Sequence, residues 1–326
     1  MNPPLGRLPN LPGAEYYPCT AKGSTPIRIA SMETVAHYLA QAGKEATPAM
    51  RLGSLTHAAV LEPERFESGF VIAAVQQCTA ATKKGVQCSK SSIPGADTCG
   101  IHGGHQTAEL WRESLGPDVE VIAEDEREKA ATAAAAVHEG LARLGYERIL
   151  SDEMSEKEVS YRGVAFLDDH GADLGFRVST DPADLARCEP GGDGLLVQGR
   201  VDLELILNDQ YAIADLKGTQ LRHLAREESW AWHVVRSGLD IQAALYSELA
   251  RAAHDGDAPR SWSWVAYESE PPHALRVFDA SPDLLDLGHR RAAEGIRRWI
   301  EYRNNSDKWA GWPTQRAAVW SPLKED

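Results

Sequence analysis

Asp202, Asp215 and Lys217 are set apart by their surroundings. Asp215 and Lys217 lie in the run Ile213-Ala214-Asp215-Leu216-Lys217, whose other members are apolar. A charged pair in such a run either faces a cleft or interrupts a core at a cost in free energy. An isolated D-x-K is most often an exposed ion pair, so the apolar context is what marks this one. In an extended strand its spacing puts carboxylate and ammonium on one face, about 7 Å apart. Hard cations such as magnesium take oxygen ligands, and a neighbouring lysine can orient a water or stabilise developing negative charge. Together with Asp202 the pair supplies the minimum for phosphodiester hydrolysis, in which a cation polarises the phosphoryl oxygen and acidifies the attacking water.

The elements that must position these residues are two strands, 196–207 and 211–217, joined by a turn at 208–210. A period of two puts Val201, Leu203, Leu205 and Leu207 on one face and Arg200, Asp202 and Glu204 on the other. Tyr211, Ile213, Asp215 and Lys217 share a face, and antiparallel pairing brings Asp202 beside them. A helix over 240–253 follows, with Gln242 and Tyr246 as i,i+4 neighbours. Upstream, Ser31 is expected to cap a helix to about residue 42. Thr47 followed by Pro48 predicts the start of a second helix, to about residue 61, carrying Arg51, Ser54 and His57. Residues 70–75 read as a strand, and the alanine-rich 124–144 as a helix with acidic residues in its first turn. Strands at 158–161 and 164–167 either pair or run together, and 171–194, rich in glycine and proline, reads as a surface loop. Strands at 261–268 and 275–278 and a helix over 282–302 complete an α/β pattern.

A second constellation is Cys78-x9-Cys88-x10-Cys99-x2-His102. Three thiolates and an imidazole suit tetrahedral zinc, and about 25 residues hold no room for a hydrophobic core, so a metal would supply the folding energy. Lys83, Lys84 and Lys90 make this stretch locally basic. Cys19 and Cys188 remain as free thiols. Cysteines grouped in this way fit metal binding in a reducing compartment better than a disulfide framework.

The 326 residues suit one large domain, 27–326, carrying a zinc-binding insertion at 76–105 and preceded by an extended, proline- and glycine-rich lead-in at 1–26. No run of about eighteen apolar residues is present and the N-terminus lacks the build of a signal peptide, so a soluble, cytoplasmic protein with no membrane partner is expected. The net charge of −14 argues against coating nucleic acid by bulk electrostatics. It leaves room for an enzyme whose acidic centre holds cations.

The segment GRVDLELILNDQYAIADLKGT followed by DIQAALYSEL resembles the PD-(D/E)XK nuclease superfamily, and within it the RecE-type (exonuclease VIII-like) phage and prophage exonucleases, relatives of the RecB nuclease domain and lambda exonuclease. MRLGSLTHAAVLEPERF is similar to that family's G-[ST]-x-x-H-x-x-x-L-E-P segment, Glu158-Val159-Ser160 to its E-V-S strand, and the terminal WAGWP to its C-terminal segment. The resemblance implies a restriction-endonuclease-like core, with a central mixed sheet flanked by helices, to which the zinc-binding insertion is foreign. It implies Asp202, Asp215, His57 and the Leu216 backbone carbonyl as ligands of Mg2+ or Mn2+, with Glu158 a further candidate. Lys217 would be the catalytic lysine, and Gln242 and Tyr246 would help set the substrate and catalytic groups. Arg51 and Ser54, within the helix that carries His57, are candidates for a terminal 5′-phosphate. The activity implied is 5′→3′ degradation of double-stranded DNA ends, leaving 3′ single strands for a recombination annealing protein, by a homo-oligomer that encloses DNA. Two alternatives stand beside it: an endonuclease of the same superfamily in restriction or repair, and a non-catalytic binding module that keeps the fold.

Overall fold

The computed structural model of the chain describes residues 4–9, 11, 21–32, 35–41, 46–72, 77–92, 95–115, 119–151, 153–170, 173–207 and 210–305. Cys19, the turn at 208–209 and the WAGWP segment lie outside them. The centre is a seven-stranded sheet in the order β1-β4-β6-β7-β8-β9, with β5 also pairing β4. Its strands are β1 (Gly6–Leu8), β4 (Ser155–His170), β5 (Asp173–Ser179), β6 (Gly194–Leu207), β7 (Gln210–Thr219), β8 (Trp262–Glu268) and β9 (Leu275–Asp279). All pairings are antiparallel except β7 with β8. The sheet is therefore mixed. β2 (Phe70–Ile72) and β3 (Glu120–Ile122) form a separate parallel pair.

Helices cover both faces. On one lie α1 (Ser24–Met32), α2 (Val35–Gln41), α8 (Glu227–Ser237), α9 (Leu239–Ala253) and α10 (Pro282–Asn305), around a core containing Ile27, Val201, Ile213, Leu245, Trp262 and Ile296. On the other lie α3 (Pro48–Leu61) and α6 (Glu124–Arg143), whose Val60, Leu61, Ala133 and Val137 pack on Leu203, Ala214 and Leu216. Short helices α4 (Pro63–Ser68), α5 (Gly104–Ser114) and α7 (Leu221–Leu224) fill the connections. Among the described residues no helix is long and apolar enough to cross a membrane.

Several expectations hold. Thr47 caps α3, its hydroxyl oxygen accepting from the Met50 amide at 3.3 Å, with Pro48 at the first turn. The alanine-rich helix, the β6–β7 antiparallel pair, the 158–167 strand as one continuous element, and α9 and α10 are all present.

Four expectations are corrected. The lead-in is part of the sheet: β1 pairs β4, and Lys22 bonds to both Leu196 and Gln198 along the β6 edge that β7 leaves open. Helix α1 begins at Ser24, and Ser31 lies inside it, its hydroxyl donating to the Arg28 carbonyl. The polar 171–194 stretch contains β5, which lies along β4, and then a 3-10 helix, Pro182–Cys188; polar composition concealed a short strand that turns Leu174, Phe176 and Val178 to the core.

The fourth correction bears on the site. Val201 packs in the first core while Leu203 and Leu205 pack in the second, on the opposite face. The alternation therefore slips at Asp202. Its partner strand slips too: Lys157 pairs Leu203, Val159 pairs Val201, and between them Glu158 adopts φ +55. A bulky side chain rarely takes that left-handed conformation, and it concentrates at functional sites.

Where α10 crosses its neighbours, Gly288 and Gly295 leave room for backbone: a Cβ would stand 2.1 Å from the Asp240 carbonyl oxygen and 2.3 Å from that of Ile27. Neither obstacle is a flexible side chain, so the helices must separate to accept it. Gly288→Ala and Gly295→Ala are each expected to lower unfolding free energy by about 1–3 kcal/mol in urea titrations followed by circular dichroism. A loss below about 0.5 kcal/mol, the level of an ordinary surface change, would show that the crossing is not close-packed.

Candidate functional site

The β6–β7 ladder runs from Leu207↔Gln210 to Leu203↔Ala214, and Asp202 stands at its end. There its carboxylate accepts the Leu216 amide at 2.6 Å, replacing a strand partner. A strand residue's N–H and C=O point to the same edge, so the Leu216 carbonyl is directed to the same side. Across the slip, α3 delivers His57, whose Nε2 lies 3.0 Å from Asp202 and whose Nδ1 lies 3.3 Å from Glu158. One ligand atom from each of His57, Glu158 and Asp202 falls within 4.8 Å of the others, as a metal site requires.

Asp215 is fully buried and points toward α9, where the Gln242 side-chain amide donates to it at 3.0 Å. Its other oxygen meets the Lys217 ammonium at 2.7 Å. Tyr246, one turn after Gln242, is held by Ser24 at 3.3 Å and packs so closely on β6 that a Cβ at Gly199 would touch its ring. Its hydroxyl does not contact the carboxylates, but burial raises its pKa, with Lys217, Asp215 and Asp202 all close enough to act on it.

Electrostatics set this cluster apart from an ordinary ion-pair patch. Burial alone would depress His57, but the Asp202 and Glu158 carboxylates outweigh it and push it up to about 9. Burial raises Glu158 to about 7, with repulsion from Asp202 and Glu62 adding to the effect. Burial and Asp202 raise Asp215 to about 6 against the pull of Lys217. Asp202 alone is lowered, because His57, Lys217 and the Leu216 amide overcome its burial. Glu158 Oε1 and Asp215 Oδ2 are buried, with His57 Nδ1 at 3.3 Å from the first and the Lys217 ammonium at 2.7 Å from the second. Buried, crowded carboxylates with raised pKa values are what a hard dication would stabilise, so the donor set fits magnesium or manganese. The structure brings together His57, Glu158, Asp202, Asp215, Lys217 and Gln242.

Arg51 and Ser54 share α3 with His57 and have partners of their own. Arg51 pairs with Glu126 at 3.1 Å and Ser54 donates to the Met50 carbonyl. Sequence reasoning gave no role to Arg200, which lies 3.7 Å from Glu158 and donates to Ser160; its two-residue spacing from Asp202 was the available signal. Glu62, close enough to act on Glu158, was read only as part of a motif.

The second cluster forms as expected. Cys78, Cys88, Cys99 and His102 place their ligand atoms within 4.8 Å of one another. His102 Nδ1 lies 3.4 Å from Cys78 Sγ and 3.3 Å from Cys99 Sγ, and the Cys88 and Cys99 sulfurs are 4.0 Å apart. Tetrahedral zinc–thiolate bonds of about 2.3 Å imply sulfur separations of about 3.8 Å. Burial works against the Cys99 thiolate, but the amides of His102 and Ile101 bring its pKa down to about 6. The buried cluster here is the three cysteines with Ala80 against them. With so small a buried cluster, a metal held by these four residues would supply the energy that keeps the module folded.

No family model and no curated protein matches the chain. Among solved structures, a chain from Eubacterium rectale described as "Putative exonuclease" aligns over 91% of this chain and 87% of that one, at 12% identity and TM-score 0.44. The protein SSO0001 aligns over 53% of this chain and 66% of that one, at 16% identity and TM-score 0.24. At those scores neither likeness carries a functional argument.

Two outcomes are expected. His57, Glu158 and Asp215 all have folded pKa values above their usual ones. Their favourable contribution is therefore present at low pH and lost as pH rises through about 6, 7 and 9 in turn. A cation replaces the protons they hold, so calorimetry should show magnesium or manganese binding tightening between pH 6 and 8.5, by roughly tenfold per unit for each proton displaced. Affinity independent of pH would mean that these groups do not hold the cation. For the second cluster, mercurial titration of purified protein should release one zinc per chain, with Cys99→Ser releasing less than half of that. Full release from Cys99→Ser would remove Cys99 from the site.

Proposed function

We propose that this chain is a divalent-cation-dependent deoxyribonuclease that degrades linear duplex DNA from its ends. The observation that carries the reading is the convergence of His57, Glu158 and Asp202 on one point, with the Asp215–Lys217 pair beside it. The order of these residues along the chain, with Gln242 and Tyr246 after them, supports the likeness to RecE-type exonucleases and their PD-(D/E)XK core. The finer features follow that likeness: 5′→3′ polarity, 3′ single strands passed to an annealing protein, and a homo-oligomer around DNA. An oligomer with basic residues turned inward would also reconcile DNA handling with a net charge of −14.

Asp202, His57, Asp215 and Glu158, with the Leu216 carbonyl, would hold magnesium or manganese. When bound, the cation supplies Lewis-acid polarisation of a phosphoryl oxygen and an acidified water. Lys217, fixed by Asp215, offers a positive charge where negative charge develops. Gln242 fixes the Asp215 carboxylate by holding one of its oxygens. The His57 ring, with a partner on each nitrogen, fixes Asp202 and Glu158 relative to each other. Zinc in the Cys3His module would act structurally.

A time course on end-labelled linear duplex with magnesium tests this reading. Asp215→Ala and Lys217→Ala are each expected to lose about 100-fold or more in rate, while wild type leaves covalently closed circles intact. Equal digestion by all three proteins would sink the mechanism. Cutting of closed circles would point to an endonuclease, and no hydrolysis by metal-replete wild type to a binding module.

A further inference from the structure

Directly beyond Lys217, residues Gly218 and Thr219 open into a groove of about 760 Å³. Its walls differ in charge balance. On one side Asp125 pairs with Lys129 at 3.1 Å and Glu126 with Arg51 at 3.1 Å, the Glu268 carboxylate accepts the Ala274 amide, and Glu270 lies near enough to Lys129 to act on it. The opposite side is formed by Arg222, His223 and His233. The two imidazoles stack with centroids 4.2 Å apart, Arg222 Nε donates to His223 Nε2 at 3.2 Å, and His233 Nδ1 lies 3.4 Å from the Ser237 hydroxyl. Beneath them Trp230 packs against His233 at 5.4 Å and stacks on Phe278 at 4.9 Å, so the platform rests on the core.

Among the described residues neither Arg222 nor Arg236 has a carboxylate partner, although acids outnumber bases 48 to 34 in the chain. Both guanidiniums are exposed, and together with burial their charge holds His223 below its ordinary pKa. Cations left unpaired in an acidic protein, braced by a stacked imidazole pair beside a catalytic lysine, are suited to a ligand of repeated negative charge. A guanidinium fork matches phosphate oxygens.

We infer that Arg222 and Arg236, with the His223–His233 stack as their base, form a phosphate-backbone subsite that holds the DNA strand as it leaves the catalytic centre. The subsite rests on the nuclease reading above and adds to it the direction in which the strand runs, from Lys217 over Gly218 and Thr219 toward α8. The path is independent of base identity because its contacts are to phosphates.

The test separates binding from cutting. Fluorescence anisotropy of a labelled duplex with a 3′ single-stranded tail is measured in calcium across a salt series, for wild type and for Arg222→Ala/Arg236→Ala, with Arg222→Lys/Arg236→Lys as the conservative control. Thermal melts confirm that each variant is folded. The alanine pair is expected to weaken Kd about tenfold and to reduce the slope of log K against log salt by about one per lost contact. The lysine pair should recover most of both. In magnesium the alanine pair should raise KM for long duplex while leaving kcat within about threefold. If wild type cuts DNA but the alanine pair leaves Kd and salt slope unchanged, the subsite is overturned and the nuclease stands. A wild type that neither binds nor cuts DNA overturns the nuclease reading, and the subsite with it.

Discussion

Asp202, Asp215 and Glu158 are withdrawn from water where two strands cease to pair, and the structure around them is organised by that cost. Asp202 meets it with the Leu216 amide and His57, Asp215 with Gln242 and Lys217, and Glu158 with His57 and Arg200. The compensation is incomplete: despite these partners, burial and mutual repulsion hold the Glu158 and Asp215 carboxyls well above their usual range. A buried charge set without full partners is costly, and the missing positive charge is what a dication would bring. The strained φ of Glu158 belongs to the same constraint, because the slip turns a second carboxylate toward His57.

The helices serve this point from opposite sides. α3 brings His57 from one face, while α9 brings Gln242 from the other. Asp202, in the split between β6 and β7, is reached from the first face while its neighbour Asp215 is served from the second. Close crossing of α10 over Asp240 and Ile27 locks α9 and α1 to the sheet, so Gln242 and Ser24 arrive at fixed distances from Asp215 and Tyr246. The Cys3His module, by contrast, is an appendage. It is inserted between β2 and β3, which pair in parallel, and its buried centre is the Cys3His cluster rather than the main core. Its Val86 and Ile101, with Lys83, Lys84 and Lys90, are exposed.

Charge sorting would reconcile an acidic chain with the polyanionic substrate proposed for it. Asp125 and Glu126 at the groove are matched by Lys129 and Arg51, whereas among the described residues Arg222 and Arg236 have no carboxylate partner. Net charge describes the whole surface. Local pairing decides where a phosphate can sit.

Much of this was legible in the chain itself. Thr47-Pro48 set the start of α3 because capping is local; the apolar run around Asp215 and Lys217 marked a strand with an anomalous charge; and Cys78, Cys88, Cys99 and His102 declared a metal module because ligand chemistry depends on residue type and short spacing. Order along the chain brought His57 and Gln242 to the same centre. Period-two reasoning failed at Val201 and Leu203, since a slip in alternation arises between two paired strands and leaves no trace in either alone. It failed also at β5, whose polar face hid a strand that pairing with β4 stabilises, and at Ser31, where a possible cap lay inside a helix begun earlier. The sequence by itself determined which groups could bind a cation and in what order they occur. Only the tertiary structure decided that Asp202 and Asp215 are approached from opposite faces, that Glu158 joins His57, and that Arg222 and Arg236 have no carboxylate partner among the described residues, because burial and charge pairing depend on contacts made across the whole fold.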